Sequence, residues 1–75
     1  MKSRGRISNQ IRRLRFETDE MSQHELAELI GMTRQTVIAI EAGRYAPSLE
    51  VAFRIATVFD VPIAQVFQND VDDAG

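Results

Sequence analysis

The sequence predicts an all-α fold in which five short helices form one compact bundle. Apolar residues recur at helical spacing along most of the chain, and no segment alternates polar and apolar residues as a half-buried strand does. Glycine, proline or a capping residue stands at the ends of the periodic segments, which keeps the expected helices short. A chain of 75 residues has room for one domain with a small core.

The composition limits how such a bundle is stabilised and used. The chain has no cysteine and one histidine, which excludes disulfides and a zinc site, so we expect no metal or other cofactor. Its apolar runs are shorter than the roughly 20 residues of a membrane span, and no signal-peptide pattern follows Met1, so we expect a cytoplasmic protein without a membrane partner. It has no glycine-rich phosphate loop or metal-spaced cluster, and we expect neither an enzyme nor a small-molecule ligand.

Charged residues are distributed unequally along the chain. The net charge is −2, but residues 1–16 hold six basic residues and no acid, whereas all eleven acids and the other three arginines follow. A basic segment of this kind suits the phosphates of a nucleic acid, and a solvated tail without a partner is the alternative. We interpret residues 1–6 as a flexible basic arm and residues 68–75 as an acidic C-terminal tail.

The first helix is predicted to run to about Glu17, with either Ser8 or Asn9 as its cap. Three apolar residues at helical spacing form its inward face: Ile7, Ile11 and Leu14. The polar residues 18–20 then form a loop.

The second helix is predicted to begin after Ser22, a preferred N-cap residue, and to run to about Ile30. Glu25 stands three residues after Ser22, so the two side chains can form a capping box. Gly31 can adopt the left-handed conformation that ends a helix at little steric cost. These residues define both ends of the helix.

The third helix is predicted from Arg34 to about Ala42. Thr33 can cap it with its hydroxyl, and Gly43 can end it. The small Ala27 suits the point where this helix crosses the second at a steep angle, because a larger side chain would push the two apart. Two helices joined by so tight a turn form a helix-turn-helix, whose second helix begins with polar residues that can reach base edges.

The last two helices are separated by the break around Pro62. Ser48 can cap a fourth helix, and Pro62 suits the first turn of a short fifth helix that ends near Phe67. Helical spacing predicts that the inward face of the fourth helix consists of Leu49, Ala52, Phe53, Ile55, Ala56 and Phe59. The folded domain then covers residues 7–67.

These residues together resemble the Cro/repressor-type helix-turn-helix of the Xre family. The matching residues are Leu14-Arg15, Met21-Ser22-Gln23, Glu25-Leu26-Ala27, Ile30-Gly31, Thr33-Arg34-Gln35-Thr36-Val37, Ile40-Glu41, Gly43, Pro47-Ser48 and Ile55-Ala56. The resemblance is strongest to short stand-alone members and covers about residues 7–67. It implies a lambda-repressor-like domain of five helices that binds operator DNA, usually as a symmetric dimer, and regulates transcription.

The resemblance also implies roles for particular residues. It gives Arg34, Gln35, Thr36 and Ala39 as the residues that contact base edges. An arginine can bond bidentately to guanine and a glutamine to adenine, and the threonine methyl can touch that of thymine. The alternative interpretation of Arg34, Gln35 and Thr36 is that each is a solvated residue in the first turn of a helix.

Contacts with phosphates, which position a protein without specifying sequence, are implied for another group of residues. These are Gln23 at the start of the second helix, Arg44 and Tyr45 after the third, and Thr33, for which capping alone is the alternative. Arg12 and Arg13 face either phosphate or solvent. The resemblance further implies a largely buried ion pair between Arg15 and Glu41 that ties the first helix to the third.

The leading hypothesis is therefore a double-stranded DNA-binding regulator that binds a palindromic operator as a homodimer, with repression as the expected mode of regulation. Four apolar residues near the C-terminus either form the dimer surface or close the core: Val61, Ile63, Val66 and Phe67. The alternative hypothesis is an antitoxin or another protein-interaction module that also binds DNA. A neighbouring toxin gene, or a second chain that co-purifies, would distinguish the two.

Overall fold

The structure is a computed structural model that describes residues 7–69. Its five helices confirm the five that the sequence predicts, and they are α1 (Ile11–Glu17), α2 (Gln23–Ile30), α3 (Arg34–Glu41), α4 (Leu49–Phe59) and α5 (Ile63–Val66). Two short strands, β1 (Ile7–Asn9) and β2 (Phe67–Asn69), flank them. The proposed basic arm, residues 1–6, and residues 70–75 of the proposed acidic tail lie outside the described residues.

The all-α description is approximate, because β1 and β2 pair as a small antiparallel sheet. Ile7 lies opposite Asn69, and Asn9 lies opposite Phe67. Three residues per strand are too few to show alternation, and their partners come from the other end of the domain, so no local pattern predicts the pairing. As a consequence, Gln68 and Asn69 belong to a strand and not to the tail.

The start of α1 also differs from the prediction. Ser8 lies in β1 and caps no helix, and α1 begins at Ile11. Asn9 nevertheless supports this helix start, because its Oδ1 accepts a hydrogen bond from the Ile11 amide at 3.1 Å. The chain therefore passes from strand to helix within two residues.

The three other predicted caps are confirmed. The Ser22 Oγ accepts from the Glu25 amide at 2.9 Å, and the Glu25 carboxylate accepts from the Ser22 amide at 3.0 Å, which completes the capping box. Thr33 and Ser48 accept the corresponding bonds at the starts of α3 and α4. Each such cap stabilises its helix by about 1 kcal/mol.

The turn between α2 and α3 depends on Gly31, which has a φ of 73°. Its left-handed conformation, expected from the sequence, ends α2 and directs the chain into α3 three residues later. Ala27 is buried beneath this turn, together with Ile30 and Val37. The two helices are therefore joined by a short turn above a shared apolar contact.

All five helices contribute to one core, and every buried residue that the structure describes is apolar. The largest of the fully buried side chains are Ile11, Leu26, Ile30, Val37, Ile40, Ile55 and Val66. None of the helices within residues 7–69 is long and apolar enough to cross a membrane.

Three apolar residues that the sequence places inward are exposed instead. Leu49 is 67% exposed, Phe53 is 51% exposed and Ile7 is 54% exposed. The buried stripe of α4 includes Val51 and excludes Leu49 and Phe53, so the helix is rotated relative to the prediction. The prediction fails because α4 carries apolar residues on more of its circumference than the core can cover.

Candidate nucleic-acid interface

The first turn of α3 projects polar side chains from an anchored helix. Arg34 and Gln35 are exposed, and Thr36 is partly exposed. On the opposite side of the same helix, Val37 and Ile40 are buried in the core. Because these two buried residues prevent α3 from rotating about its axis, the polar residues of its first turn stay on the solvent-facing side of the helix.

Two threonines organise the start of this helix. The Thr33 Oγ1 accepts from the Thr36 amide at 3.1 Å and lies 3.0 Å from the Thr36 Oγ1. The capping role of Thr33 is thus present in the structure, and the Thr36 hydroxyl already has a partner. Ala39, one turn later, is half-buried.

Arg15 and Glu41 connect α1 to the last turn of α3. The Arg15 Nε donates to Glu41 Oε2 at 2.6 Å, and Nη2 donates to Glu41 Oε1 at 3.1 Å, which is a bidentate pair. The third guanidinium nitrogen donates to the Met21 carbonyl at 2.8 Å. The two side chains are only 15% and 10% exposed, so the pair is largely removed from water.

Gln23, the first residue of α2, joins this pair. Its Nε2 donates to Glu41 Oε1 at 3.2 Å, and its side chain is half-buried. The Glu41 carboxylate therefore connects α1, α2 and α3. A side-chain amide has two N–H donors, so Gln23 keeps a second one after bonding Glu41.

A shallow depression of about 500 Å³ opens between these three helices. It is lined by Arg12, Arg15, Ser22, Gln23, His24, Arg34 and Glu41. Arg15 and Glu41 neutralise each other, whereas neither Arg12 nor Arg34 forms an ion pair with an acid of residues 7–69. The depression consequently presents two uncompensated positive charges beside the exposed turn of α3.

The other expected phosphate contacts lie outside this depression. Arg13 is exposed on α1, 3.8 Å from Glu17 in a pair that solvent screens. Arg44 and Tyr45 are exposed in the connection that follows α3. Tyr45 also lines a small cavity with Ile7 and Phe67, beside the sheet.

The four apolar residues suggested for a dimer surface differ in their exposure. Val66 is 0% exposed and closes the core, so it offers no surface to a second chain. Val61, Ile63 and Phe67 are half-buried and pack against the same core. Val61, Ile63 and Phe67 therefore retain some accessible surface.

Two side-chain contacts that the sequence did not predict hold the carboxyl ends of α2 and α3. Arg54 on α4 donates from Nη1 to the Ile30 carbonyl at 3.0 Å. Asn9 in β1 donates from Nδ2 to the Ile40 carbonyl at 3.0 Å. Both bonds join residues far apart in the chain, so no local signal could have revealed them. Among residues 7–69 there is no group of three side chains suited to hold a metal ion.

An anchored α2, a tight left-handed turn and an α3 with an exposed polar start define a helix-turn-helix protein. The family model HTH_3, described as helix-turn-helix, matches residues 11–66, which is most of the chain. The protein therefore belongs to this Xre-like helix-turn-helix family.

Relatives of the chain are named as regulators of transcription. It is 51% identical over 55 residues to an uncharacterized HTH-type transcriptional regulator of Methanothermobacter thermautotrophicus, covering 72% of this chain and 80% of the relative. It is 43% identical over 61 residues to the uncharacterized HTH-type transcriptional regulator YgzD of Bacillus subtilis, covering 81% and 91%. It is 41% identical over 63 residues to the cryptic phage CTXphi transcriptional repressor RstR of Vibrio cholerae, covering 84% and 56%.

Proposed function

We propose that this protein is a sequence-specific transcriptional repressor that places α3 in the major groove of double-stranded DNA. The observation that carries the proposal is the exposed polar turn of α3 beside a depression with two uncompensated arginines. Repression is supported by the similarity to the phage repressor RstR. In this arrangement α2 lies across the sugar–phosphate backbone.

Arg34 and Gln35 are the main contacts to base edges in this proposal. Both are exposed on the anchored helix, and both are residue types that bond bidentately to a base. Thr36 and Ala39 are secondary, because the Thr36 hydroxyl is bonded to Thr33 and Ala39 offers only a methyl group. Each bidentate contact contributes about 1–3 kcal/mol of discrimination between bases.

Contacts with phosphates position this helix. Gln23 and Arg12 line the depression, and the second N–H of the Gln23 amide is directed to a phosphate once the first is bonded to Glu41. Arg44 and Tyr45 contact the backbone beyond the end of α3, and Arg13 adds a more distant positive charge. Thr33 acts chiefly as the cap of α3.

Two copies of the domain bind a palindromic operator together, because one domain of this size offers limited contact area. Phe53 is exposed beside a depression of about 490 Å³ that Val61, Pro62 and Ile63 also line. We assign the dimer surface to this region. Covering it removes an exposed aromatic side chain from water.

Selection of bound sites from random duplex DNA tests the proposal directly. We expect enrichment of a palindrome whose half-sites are centred about 34 Å apart, one turn of the double helix. Selected DNA without any common sequence would refute sequence-specific binding. Failure to bind any duplex at low ionic strength would refute DNA binding altogether.

A further inference from the structure

We infer that His24 makes DNA binding pH-dependent, because its protonated side chain contacts a DNA phosphate and its neutral side chain does not. The inference rests on the proposed function, since it concerns the regulation of the same interface. It follows from where His24 lies, from the carboxylate beside it and from the charges around it.

His24 lies within the candidate interface. It is the second residue of α2, directly after Gln23, and it lines the same depression as Arg12 and Arg34. Its side chain is 67% exposed, so a phosphate that enters the depression can approach it. The sequence analysis used this single histidine only as an argument against a zinc site.

The neighbouring carboxylate determines which ring nitrogen faces the ligand. The Nε2 of His24 lies 3.3 Å from Glu28 Oε2, one helical turn later. A carboxylate beside Nε2 favours the tautomer with its single proton there, which leaves Nδ1 as an acceptor. Phosphate oxygens are acceptors as well, so the neutral ring has no hydrogen to offer them.

Protonation reverses this situation. The imidazolium carries N–H donors at both nitrogens, so Nε2 remains directed at Glu28 while Nδ1 donates to a phosphate. The ring also gains a positive charge in a depression that already holds two arginines unpaired with any acid of residues 7–69. One proton thus supplies both a hydrogen bond and a charge.

The charged groups around His24 come from three helices. Its own helix contributes Glu28 and Glu25, α1 contributes Arg12 and Arg15, and α3 contributes Arg34 and Glu41. Arg15 and Glu41 neutralise each other through the ion pair already described, so Arg12 and Arg34 remain as the uncompensated charges that line the depression with His24. DNA phosphates that enter the depression attract the protonated ring more strongly than the neutral ring, because they carry negative charge. Binding therefore takes up a proton, and affinity rises as pH falls.

The effect is measurable because this chain has a single histidine. Histidine is the side chain that ordinarily changes charge between pH 5 and 8. We would measure the Kd for a fluorescein-labelled 30-base-pair duplex of arbitrary sequence by anisotropy, from pH 5.5 to 8.0 at 0.1 M salt. An arbitrary sequence suffices, since phosphate contacts do not depend on base sequence.

For the wild type we expect the Kd to fall up to roughly eightfold between pH 8.0 and 5.5. That is the counterion release of one added phosphate contact at 0.1 M salt. The slope of log K against log salt should also become steeper by up to about 0.9 at the lower pH. Circular dichroism at both pH values verifies that the fold is unchanged.

Two substitutions assign the effect to this ring. His24→Gln should bind equally at both pH values, with the weaker affinity of the wild type at pH 8.0. His24→Arg should bind at both values as tightly as the wild type at pH 5.5. The matched control is Gln35→Ala, which lacks a base contact and should keep the full pH dependence.

A wild-type affinity that does not change with pH, or a His24→Gln variant that keeps the dependence, would overturn the inference and leave the proposed function intact. A wild type that binds no duplex at any pH, even at low salt, would instead overturn the proposed function. The two failures are therefore distinguishable.

Discussion

At the scale of single residues, Glu41 at the end of α3 bonds two side chains from other helices. Its carboxylate holds Arg15 in a bidentate pair and also accepts the Gln23 amide. The pair is largely buried, so its contribution to the net stability of the fold is modest while both partners are present. Losing one partner is costly, because the other charge then remains without compensation.

We expect Glu41→Ala to lower the free energy of unfolding by about 3 kcal/mol, since it leaves the Arg15 guanidinium unpaired in a site that is 15% exposed. Thermal denaturation should show a fall in Tm of at least about 12 °C for a domain of this size. The matched control is Glu17→Ala, which breaks an exposed pair with Arg13 and should change stability by less than about 1 kcal/mol. Equal melting curves for both variants would contradict the role of the pair.

Gln35 and Arg44 separate base contacts from phosphate contacts. Gln35→Ala should reduce discrimination at one base position by about 1–3 kcal/mol, because a bidentate contact is lost. Arg44→Ala should weaken binding to all sequences alike and lower the salt slope by up to about 0.9. Titration of the selected operator, its single-base variants and random DNA distinguishes the two patterns. A uniform loss for both variants would remove the distinction between the residues.

At the scale of elements, hydrogen bonds hold both ends of α2 and of α3. Some of these bonds join near neighbours in the chain, and others join residues far apart in sequence. Ser22 and Thr33 cap the starts of α2 and α3 from within three residues. Arg54 and Asn9 hold their carboxyl ends from distant parts of the chain. The angle between the two helices, and hence the direction of the exposed turn, depends on Gly31 between them.

Gly31→Ala tests that turn. The residue has a φ of 73°, and an added Cβ would lie 3.5 Å from the Arg54 Nη1, an ordinary contact, so the penalty comes from the backbone. We expect a loss of about 1–2 kcal/mol in the free energy of unfolding, measured with urea. Gly31→Asn is the control and should lose less, since asparagine tolerates the left-handed conformation better. An alanine variant as stable as the wild type would show that the turn relaxes without strain.

At the scale of the whole molecule, the distribution of exposed apolar residues indicates where a second copy can bind. Val66 is withdrawn into the core, whereas Phe53 stands exposed beside the connection from α4 to α5. The charged depression of the candidate interface is lined by residues of α1, α2 and α3 and shares none with the apolar region around Phe53. The proposed binding surface and the proposed dimer surface therefore use different residues.

Phe53→Glu should shift the protein from dimer to monomer in sedimentation experiments, because it places a charge in the proposed dimer surface. Operator affinity should fall with it, since one domain then binds each half-site alone. Phe16→Glu is the matched control: that aromatic residue is 68% exposed on α1 and does not line the depression beside Phe53, so its loss should leave the dimer intact. A Phe53→Glu protein that dimerises like the wild type would place the dimer surface elsewhere.

Much of the fold and of the site was predictable from local sequence. Capping by Ser22, Thr33 and Ser48 and the left-handed Gly31 depend on residues within one turn of each other, so their chemistry is visible in the sequence itself. The exposed polar start of α3 follows from the same local rules. The pairing of Arg15 with Glu41 was expected only through resemblance to a family, because nothing nearby in the chain connects them.

The sequence by itself determined that there are five helices, that Ser22, Thr33 and Ser48 cap three of them, and that α2 and α3 meet at a tight turn. Only the tertiary structure decided that β1 pairs with β2, that Val66 is buried and that Leu49 and Phe53 are not. It also decided that Gln23 bonds Glu41 and that His24 lines the same depression as Arg12 and Arg34. The physical reason is the sequence separation of the interacting residues. Caps and turns depend on residues that are neighbours in the chain, whereas burial and strand pairing depend on which distant segments pack against the same small core.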